Sequence, residues 1–458
     1  MRKKILLLSD DMRMTSGIAT MSKELVMGTL HKFDYFQVGA AISHPEFGKT
    51  IIIDEDAKKI SGDPNAKLKI FANNGYGDIN LLRKILEEEK PDVIVHFTDP
   101  HYWQWLYDNE HEIRQQIPVL FYHIWDDLPD PQYNRNYYES CDWIGCISRQ
   151  TYGIVNRVGK RNDINTFNPL KDWQISYVPH GINSETFKPL EIISSEVYNE
   201  IHDKKYYDFI LFYNNRNIRR KQPADVIYSF KMFCDLLPKE KSNKCLLLMN
   251  TSAIDENGTD LLAVKKDLCP DYDVKFITQK LTQEKLNEYY NLVDCTINIA
   301  NNEGFGLTTM ESLMAGTPII VNVTGGLQDQ CGFKLDGKEF TAEDYVSIGS
   351  LHRKSVWENK LTWGDWVTPI WSVSQLLNGS VPTPYIFDDR VSHDDVVNAI
   401  FKNYMLGRDK RKENGLKGRN WALNNFSSKI MCEKFIEGIE NTLKNFEPKK
   451  RYELYKIV

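Results

Sequence analysis

Glu303-Gly-Phe-Gly-Leu-Thr-Thr-Met-Glu311-Ser-Leu-Met-Ala-Gly-Thr-Pro318 lies between an apolar run ending near Ala300 and a second apolar run over 318–323. It reads as a loop running into a helix between two strands. Gly304 and Gly306 let backbone come close to a ligand, and free N–H groups at a helix start near Leu307 can face hydroxyl or phosphate oxygens. That end of a helix also carries partial positive charge. Glu311 falls one turn inside the helix above Leu307, while Glu303 stays on the loop. The two carboxylates then reach different parts of one ligand. One can hold sugar hydroxyls and the other a ribose, because ionised carboxylates accept hydrogen bonds from vicinal diols. The alternative is that both acids merely favour a helix N-terminus.

Upstream, Asn214-Asn-Arg216-Asn-Ile-Arg219-Arg220-Lys221 follows the apolar run 208–213 directly. Cations at the carboxyl end of a strand sit where a doubly wound domain binds a diphosphate, and Arg216 with Lys221 would neutralise charge on a departing nucleoside diphosphate. Arg219 and Arg220 read as solvated neighbours. The run 208–213 opens a series, continued at 245–249, 274–277, 295–299 and 318–323, with amphipathic stretches between. An earlier series covers 4–8, 92–97, 119–125, 143–148 and 173–178. Continuous rather than alternating apolar runs predict parallel sheets buried on both faces and wound as right-handed βαβ units.

Two such series, joined near 188–205, predict two doubly wound α/β domains facing across a cleft. The expected boundaries are 1–190, 191–415 and a C-terminal helical segment, 416–458, that packs back on the first domain. Within the second domain, 328–390 carries Trp357, Trp363, Trp366, Trp371 and Tyr385 among Gly and Pro. It reads as an ordered insertion, either an aromatic acceptor wall or a packing subdomain. Two large domains also suit 458 residues, given about 150 residues as a soft prior per domain.

The composition, 41% hydrophobic and 26% charged, is globular. A net charge of -6 argues against a general nucleic-acid coat. Basic residues do cluster at Lys410, Arg411, Lys412 and Lys417 and at Lys449, Lys450 and Arg451, where a solvated helix face is the expected reading. No apolar run approaches the ~18 residues of a membrane span, so a cytoplasmic location is expected, with peripheral membrane contact left open. The eight scattered cysteines read as reduced core thiols.

The second half resembles the family 4 retaining glycosyltransferases, which have the GT-B fold of two facing Rossmann-like domains. The resemblance rests on motifs in the family's order. Glu303 and Glu311 match its E-x7-E spacing, and Arg216 and Lys221 its basic pair. Val178-Pro-His-Gly-Ile-Asn-Ser-Glu-Thr-Phe-Lys-Pro189 resembles the segment leading into the hinge, and Thr324-Gly-Gly-Leu327 the glycine turn after the next strand. The resemblance implies that Glu311 holds the nucleotide ribose and Glu303 the donor sugar. It also implies that backbone at Gly304, Phe305, Gly306, Leu307 and Thr308 lines the sugar and phosphates.

In the first half, Asp10-Asp-Met-Arg-Met-Thr-Ser-Gly17-Ile resembles the family's glycine-bearing first loop, with Ser16 in place of the first glycine of the commoner form. Ser16 and Gly17 are thereby placed near phosphate and acceptor. His123, in Phe121-Tyr-His-Ile-Trp-Asp-Asp127, occupies a position where the family often has a histidine that touches the donor sugar. Asp54-Glu-Asp56 imitates the metal-binding D-x-D of the other glycosyltransferase fold. That reading is set aside, because the basic pair and the helix dipole already supply positive charge. No metal and no cofactor are expected beyond a nucleoside-diphosphate sugar as co-substrate, UDP-hexose first and GDP-mannose next. The acceptor stays open among glycan, lipid-linked sugar, protein and modified nucleobase. Rival readings are a nucleotide-sugar epimerase or phosphorylase on the same fold, or a non-catalytic sugar-nucleotide or glycan-binding protein.

Overall fold

The computed structural model describes residues 2–161, 169–202 and 205–450. The first sheet contains β1 (Lys3–Asp10), β2 (Phe33–Ala41), β3 (Thr50–Ile52), β4 (Leu68–Asn74), β5 (Val93–Phe97), β6 (Val119–His123), β7 (Trp143–Cys146) and β8 (Ile175–Tyr177). Their order is β3-β4-β2-β1-β5-β6-β7-β8, parallel throughout except where β3 runs against β4. β2 and β4 are absent from the apolar runs read in the sequence. The reason for β2 is visible in its side chains. Asp34 and Gln37 interrupt it, yet Asp34 accepts from Arg2 Nε at 2.8 Å and Gln37 Nε2 donates to Ser9 Oγ at 2.7 Å, so both are buried with partners.

The second sheet contains β9 (Phe209–Asn214), β10 (Cys245–Asn250), β11 (Asp273–Ile277), β12 (Cys295–Asn298) and β13 (Ile319–Asn322). A small antiparallel sheet, β14 (Lys334–Leu335), β15 (Lys338–Glu339) and β16 (Leu361–Thr362), comes next, followed by β17 (Val367–Ile370). β17 corrects the sequence reading of 328–390 as wholly an insertion. It joins the second sheet as its sixth strand, in the all-parallel order β11-β10-β9-β12-β13-β17. Its four residues, with a proline among them, gave too short a run to be seen. Every residue of β9 is buried, as a parallel strand covered on both faces requires.

The aromatic residues of this region mostly pack. Trp366 stacks on Trp421 at 4.9 Å between ring centres, Trp363 meets Trp371 at 5.4 Å, and Trp371 donates to the Leu351 carbonyl at 3.0 Å. Tyr385 instead bridges the halves, its carbonyl accepting from the Tyr133 hydroxyl at 2.8 Å. It precedes the hairpin strand β19 (Ile386–Arg390), which pairs with β18 (Ser374–Asn378).

Two chain crossings join the halves side by side. Ile182 N donates to Phe426 O at 2.8 Å, and Ser428 N donates to Ile182 O at 3.1 Å. Between the two sheets in chain order, the helix Ser195–His202 buries Val197 and Ile201. The break expected at 416 falls inside a continuous helix, Arg408–Phe426, which stays on the second sheet. Arg411 pairs there with Asp294 at 2.6 Å, and Gly415 lies against Gly316 too closely for any side chain. The helix Ser428–Asn445 then returns to the first sheet, packing Phe435 on Tyr122 and Trp143 at 5.5 and 5.7 Å. Several cations of the C-terminal cluster are paired, Lys417 with Asp365 at 2.7 Å and Lys449 with Glu110 at 2.7 Å; Arg451 lies outside the described residues.

Candidate functional site

In each sheet the strand order reverses beside one strand: β1 sits between β2 and β5, and β9 between β10 and β12. Such switch points open a crevice at the carboxyl ends of the strands. β9 ends at Asn214 and leads into Arg216–Lys221, while β12 ends at Asn298 and leads into the Glu303 loop. Topology therefore brings the two sharpest sequence signals together.

Lys221 is 6% exposed and its Nζ is in direct contact with Glu303 Oε2, which also accepts from Asn298 Nδ2 at 3.2 Å. Burial pushes the Glu303 carboxyl up, but Lys221, Arg220 and the hydrogen bonds outweigh it and hold Glu303 below the usual carboxylate range. Burial depresses the Lys221 ammonium, only partly opposed by Glu303. The helix Leu307–Ala315 starts from Gly306 at φ 86°, and no side chain caps it. Its first N–H groups are left for a ligand, and Leu307, Thr308 and Glu311 share a half-buried face. The loop before it is braced from behind. Gln330 Nε2 donates to Phe305 O at 2.6 Å and Gly306 O at 2.9 Å, and Gly326 N donates to Glu303 O at 2.8 Å. A side chain at Gly325 or Gly326 would strike the backbone of residues 303–305.

Glu311 Oε2 accepts from the Tyr290 hydroxyl at 2.9 Å, which accepts from Asn214 Nδ2 at 2.8 Å. Asn214 Oδ1 in turn accepts from Asn250 Nδ2 at 2.9 Å. Burial raises the Glu311 carboxyl to about 7, against the hydrogen bond from Tyr290. The two glutamates thus differ in kind: Glu303 is held ionised, and Glu311 changes charge near neutrality.

The first half meets this loop at close range. A Cβ on Gly17 would lie 3.4 Å from Leu307 Cδ1, so the helix Gly17–Thr29 points its N-terminus toward that of Leu307–Ala315. A Cβ on Gly304 would lie 3.1 Å from Ile124 O. Ser16 is spent as the cap of its helix, accepting from Ala19 N at 3.0 Å and donating to Asp10 Oδ2 at 2.6 Å. Burial raises the Asp10 and Asp99 carboxyls, at the carboxyl ends of β1 and β5.

Other expected site residues sit differently. Arg216 lies outside the Lys221–Glu303 cluster, its side chain 66% exposed and 3.3 Å from Asp255. Arg220, read as a solvated neighbour, takes the inner place: it donates to Asn302 O at 2.7 Å and lies 3.5 Å from Asp126 across the cleft. His123, expected to touch the donor sugar, is 0% exposed. It sits in β6 with its ring against Phe121 and Tyr138, Nε2 at 2.9 Å from the Tyr138 hydroxyl and Nδ1 without a partner. Burial lowers its imidazole to about 3, so it is neutral. Phe305 is buried against His180 and Phe426, leaving only its backbone to face a ligand. Asp54–Asp56 form the first turn of the helix Asp54–Ser61, where Asp54 accepts from Leu68 N at 2.9 Å. Among the described residues no group of three or more His, Cys, Asp or Glu is placed to hold a metal ion. Asn214, Tyr290 and Asn298 were missed because their roles depend on which strand ends become neighbours.

Residues 196–337 match the family profile described as Glycosyl transferases group 1. A D-inositol 3-phosphate glycosyltransferase from Nocardiopsis dassonvillei is 26% identical over 218 residues, covering 45% of this chain and 49% of that protein. The match thus spans about half the length of that relative. Among solved structures, a glycosyltransferase from Rickettsia africae superposes with a TM-score of 0.63 at 13% identity, covering 97% of this chain and 99% of that one. Sucrose-phosphate synthase from Thermosynechococcus elongatus gives 0.64 at 14% identity, covering 97% and 100%. Anabaena HepE, solved with UDP and glucose, gives 0.63 at 11% identity, covering 96% and 100%. Residues 196–337 therefore carry a glycosyl transferases group 1 domain, set in a GT-B fold that runs through the chain.

Proposed function

We propose that this chain is a retaining glycosyltransferase that moves a hexose from a nucleoside-diphosphate sugar to an acceptor hydroxyl without a metal. The observation that carries this is the buried Lys221–Glu303 pair beside an uncapped helix start, with Glu311 one turn further on. The helix N–H groups, Lys221 and Arg220, with Arg216 at the rim, surround the diphosphate with positive charge. Glu311 accepts from the ribose hydroxyls and Glu303 from those of the sugar. The bond from the anomeric carbon to the diphosphate oxygen breaks as the acceptor oxygen bonds to that carbon from the same face. The acceptor proton passes to a phosphate oxygen of the leaving group, so no enzyme nucleophile is required. UDP-hexose is the first donor to test, and HepE, a structural neighbour, was solved with UDP and glucose. The loops at the carboxyl ends of β1 and β5 select the acceptor.

A thermal-shift screen across nucleotide sugars identifies the donor, because binding to the folded state raises apparent stability. With that donor, Lys221→Ala and Glu303→Gln are expected to lose ~30–1000-fold in kcat/KM, the equivalent of about 2–4 kcal/mol. Near-normal turnover in either removes that residue from the scheme. Donor binding with neither transfer nor donor hydrolysis, whatever the acceptor pool, makes the chain a binding protein instead.

A further inference from the structure

Among the residues lining a cavity of about 560 Å³ are His352, Arg353, Lys354, Ser355, Ser374 and Gln375. None of the Lys221–Glu303 cluster borders it, and no carboxylate is among its lining residues. His352 is 8% exposed, and neither ring nitrogen completes a hydrogen bond of ordinary geometry, although the Gln375 amide and the Asp389 carboxylate face it. Buried imidazoles are ordinarily paired, so two ring nitrogens without such a bond at the wall of a cavity mark a place for a ligand atom. His352 and Arg353 also line a neighbouring cavity of about 430 Å³, which leaves open space on a second side.

The charges around the ring decide what fits. Lys354 is held by Asp395 at 2.8 Å, and its other acid, Glu358, is 3.9 Å away. Asp389, the acid nearest the imidazole in effect, is occupied by Thr324 Oγ1 at 2.7 Å and Gln375 Nε2 at 2.6 Å. The Arg353 guanidinium makes no hydrogen bond or ion pair among the described residues, and neither do the hydroxyls of Ser355 and Ser374. A guanidinium fork with hydroxyl donors and an imidazole is the donor set that recognises a phosphate dianion. The volume is that of a small-molecule site and exceeds what a bare anion fills.

We propose that this pocket binds the phosphate group of a small phosphate monoester, at a site separate from the donor cleft. The test is calorimetric titration of the full chain with glucose 6-phosphate and with inorganic phosphate, each with and without UDP. Glucose 6-phosphate is expected to bind equally well in both conditions, and to bind about ten- to hundredfold more weakly to Arg353→Ala, whose exposed position leaves folding intact. A Ser355→Ala/Ser374→Ala double variant is expected to weaken it too, and the ring ¹⁵N signals of His352 are expected to shift on saturation. Binding of inorganic phosphate alone overturns the ester assignment. Competition by UDP, unchanged affinity in Arg353→Ala, or no binding of either probe overturns the site.

Discussion

Glu311 and Glu303 are chemically the same side chain, placed eight positions apart on one segment. Their neighbours make them different. Glu303 has a cation in contact and stays charged, whereas Glu311 has only the Tyr290 hydroxyl to offset burial and titrates at about 7. A carboxyl raised above its ordinary 4.5 favours the protonated folded state, so this group's contribution to stability declines as pH rises from about 4.5 toward 7. On the proposed ribose role of Glu311, donor affinity moves the opposite way, because the ionised form is the better acceptor. UDP binding is expected to strengthen about tenfold between pH 6 and pH 8, and Glu311→Gln to flatten the profile. Calorimetry at three pH values checks this; a flat wild-type profile removes Glu311 from the ribose site. The cations are likewise unequal. Arg216→Ala, removing an exposed charge, is expected to lower kcat/KM less than about tenfold, well short of Lys221→Ala.

At the scale of elements, the contrast between two helix starts is informative. Gly17–Thr29 has a serine cap that takes up the Ala19 N–H, while Leu307–Ala315 begins at a left-handed glycine with no side-chain cap. Ser16→Ala is expected to cost about 1 kcal/mol in denaturant unfolding through loss of that cap. Gly306→Ala is expected to cost about 1–3 kcal/mol and to abolish detectable UDP binding in calorimetry. The residue sits at φ 86°, and a Cβ there would come within 2.5 Å of Leu327 Cδ2. UDP binding at wild-type strength in Gly306→Ala shows that the loop's shape is not what holds the nucleotide.

On the scale of the whole molecule, the two halves meet in part through small residues and backbone. Gly17 faces Leu307, Gly304 faces Ile124, and Arg157 Nη1 donates to Tyr345 O at 2.8 Å. Only the crossings near Ile182 and Ser427 tie them covalently. On the proposed function, motifs from different halves serve one ligand, so nucleotide is expected to favour the closed arrangement. Small-angle scattering checks this: the radius of gyration is expected to fall on addition of the donor, and an unchanged value means the cleft is closed without it.

The fold and the Glu303–Glu311 segment were legible in the primary structure because both are local. Buried parallel strands must be continuously apolar, and a glycine-flanked helix start with acids eight residues apart is read within one segment. The resemblance singled out Lys221 as half of a basic pair, and its contact with Glu303 follows from the neighbouring ends of β9 and β12. β2 escaped notice because its polar residues find partners far along the chain, and β17 because a short edge strand has no periodicity of its own. Composition could not choose between Arg216 and Arg220, since adjacent cations on one loop differ only in which way the turn Arg219–Lys221 directs them. Burial of His123, the charge state of Glu311 and the surroundings of the His352 ring arose only from tertiary packing. Desolvation and hydrogen-bond partners are properties of the surroundings, and segments distant in the chain supply those surroundings.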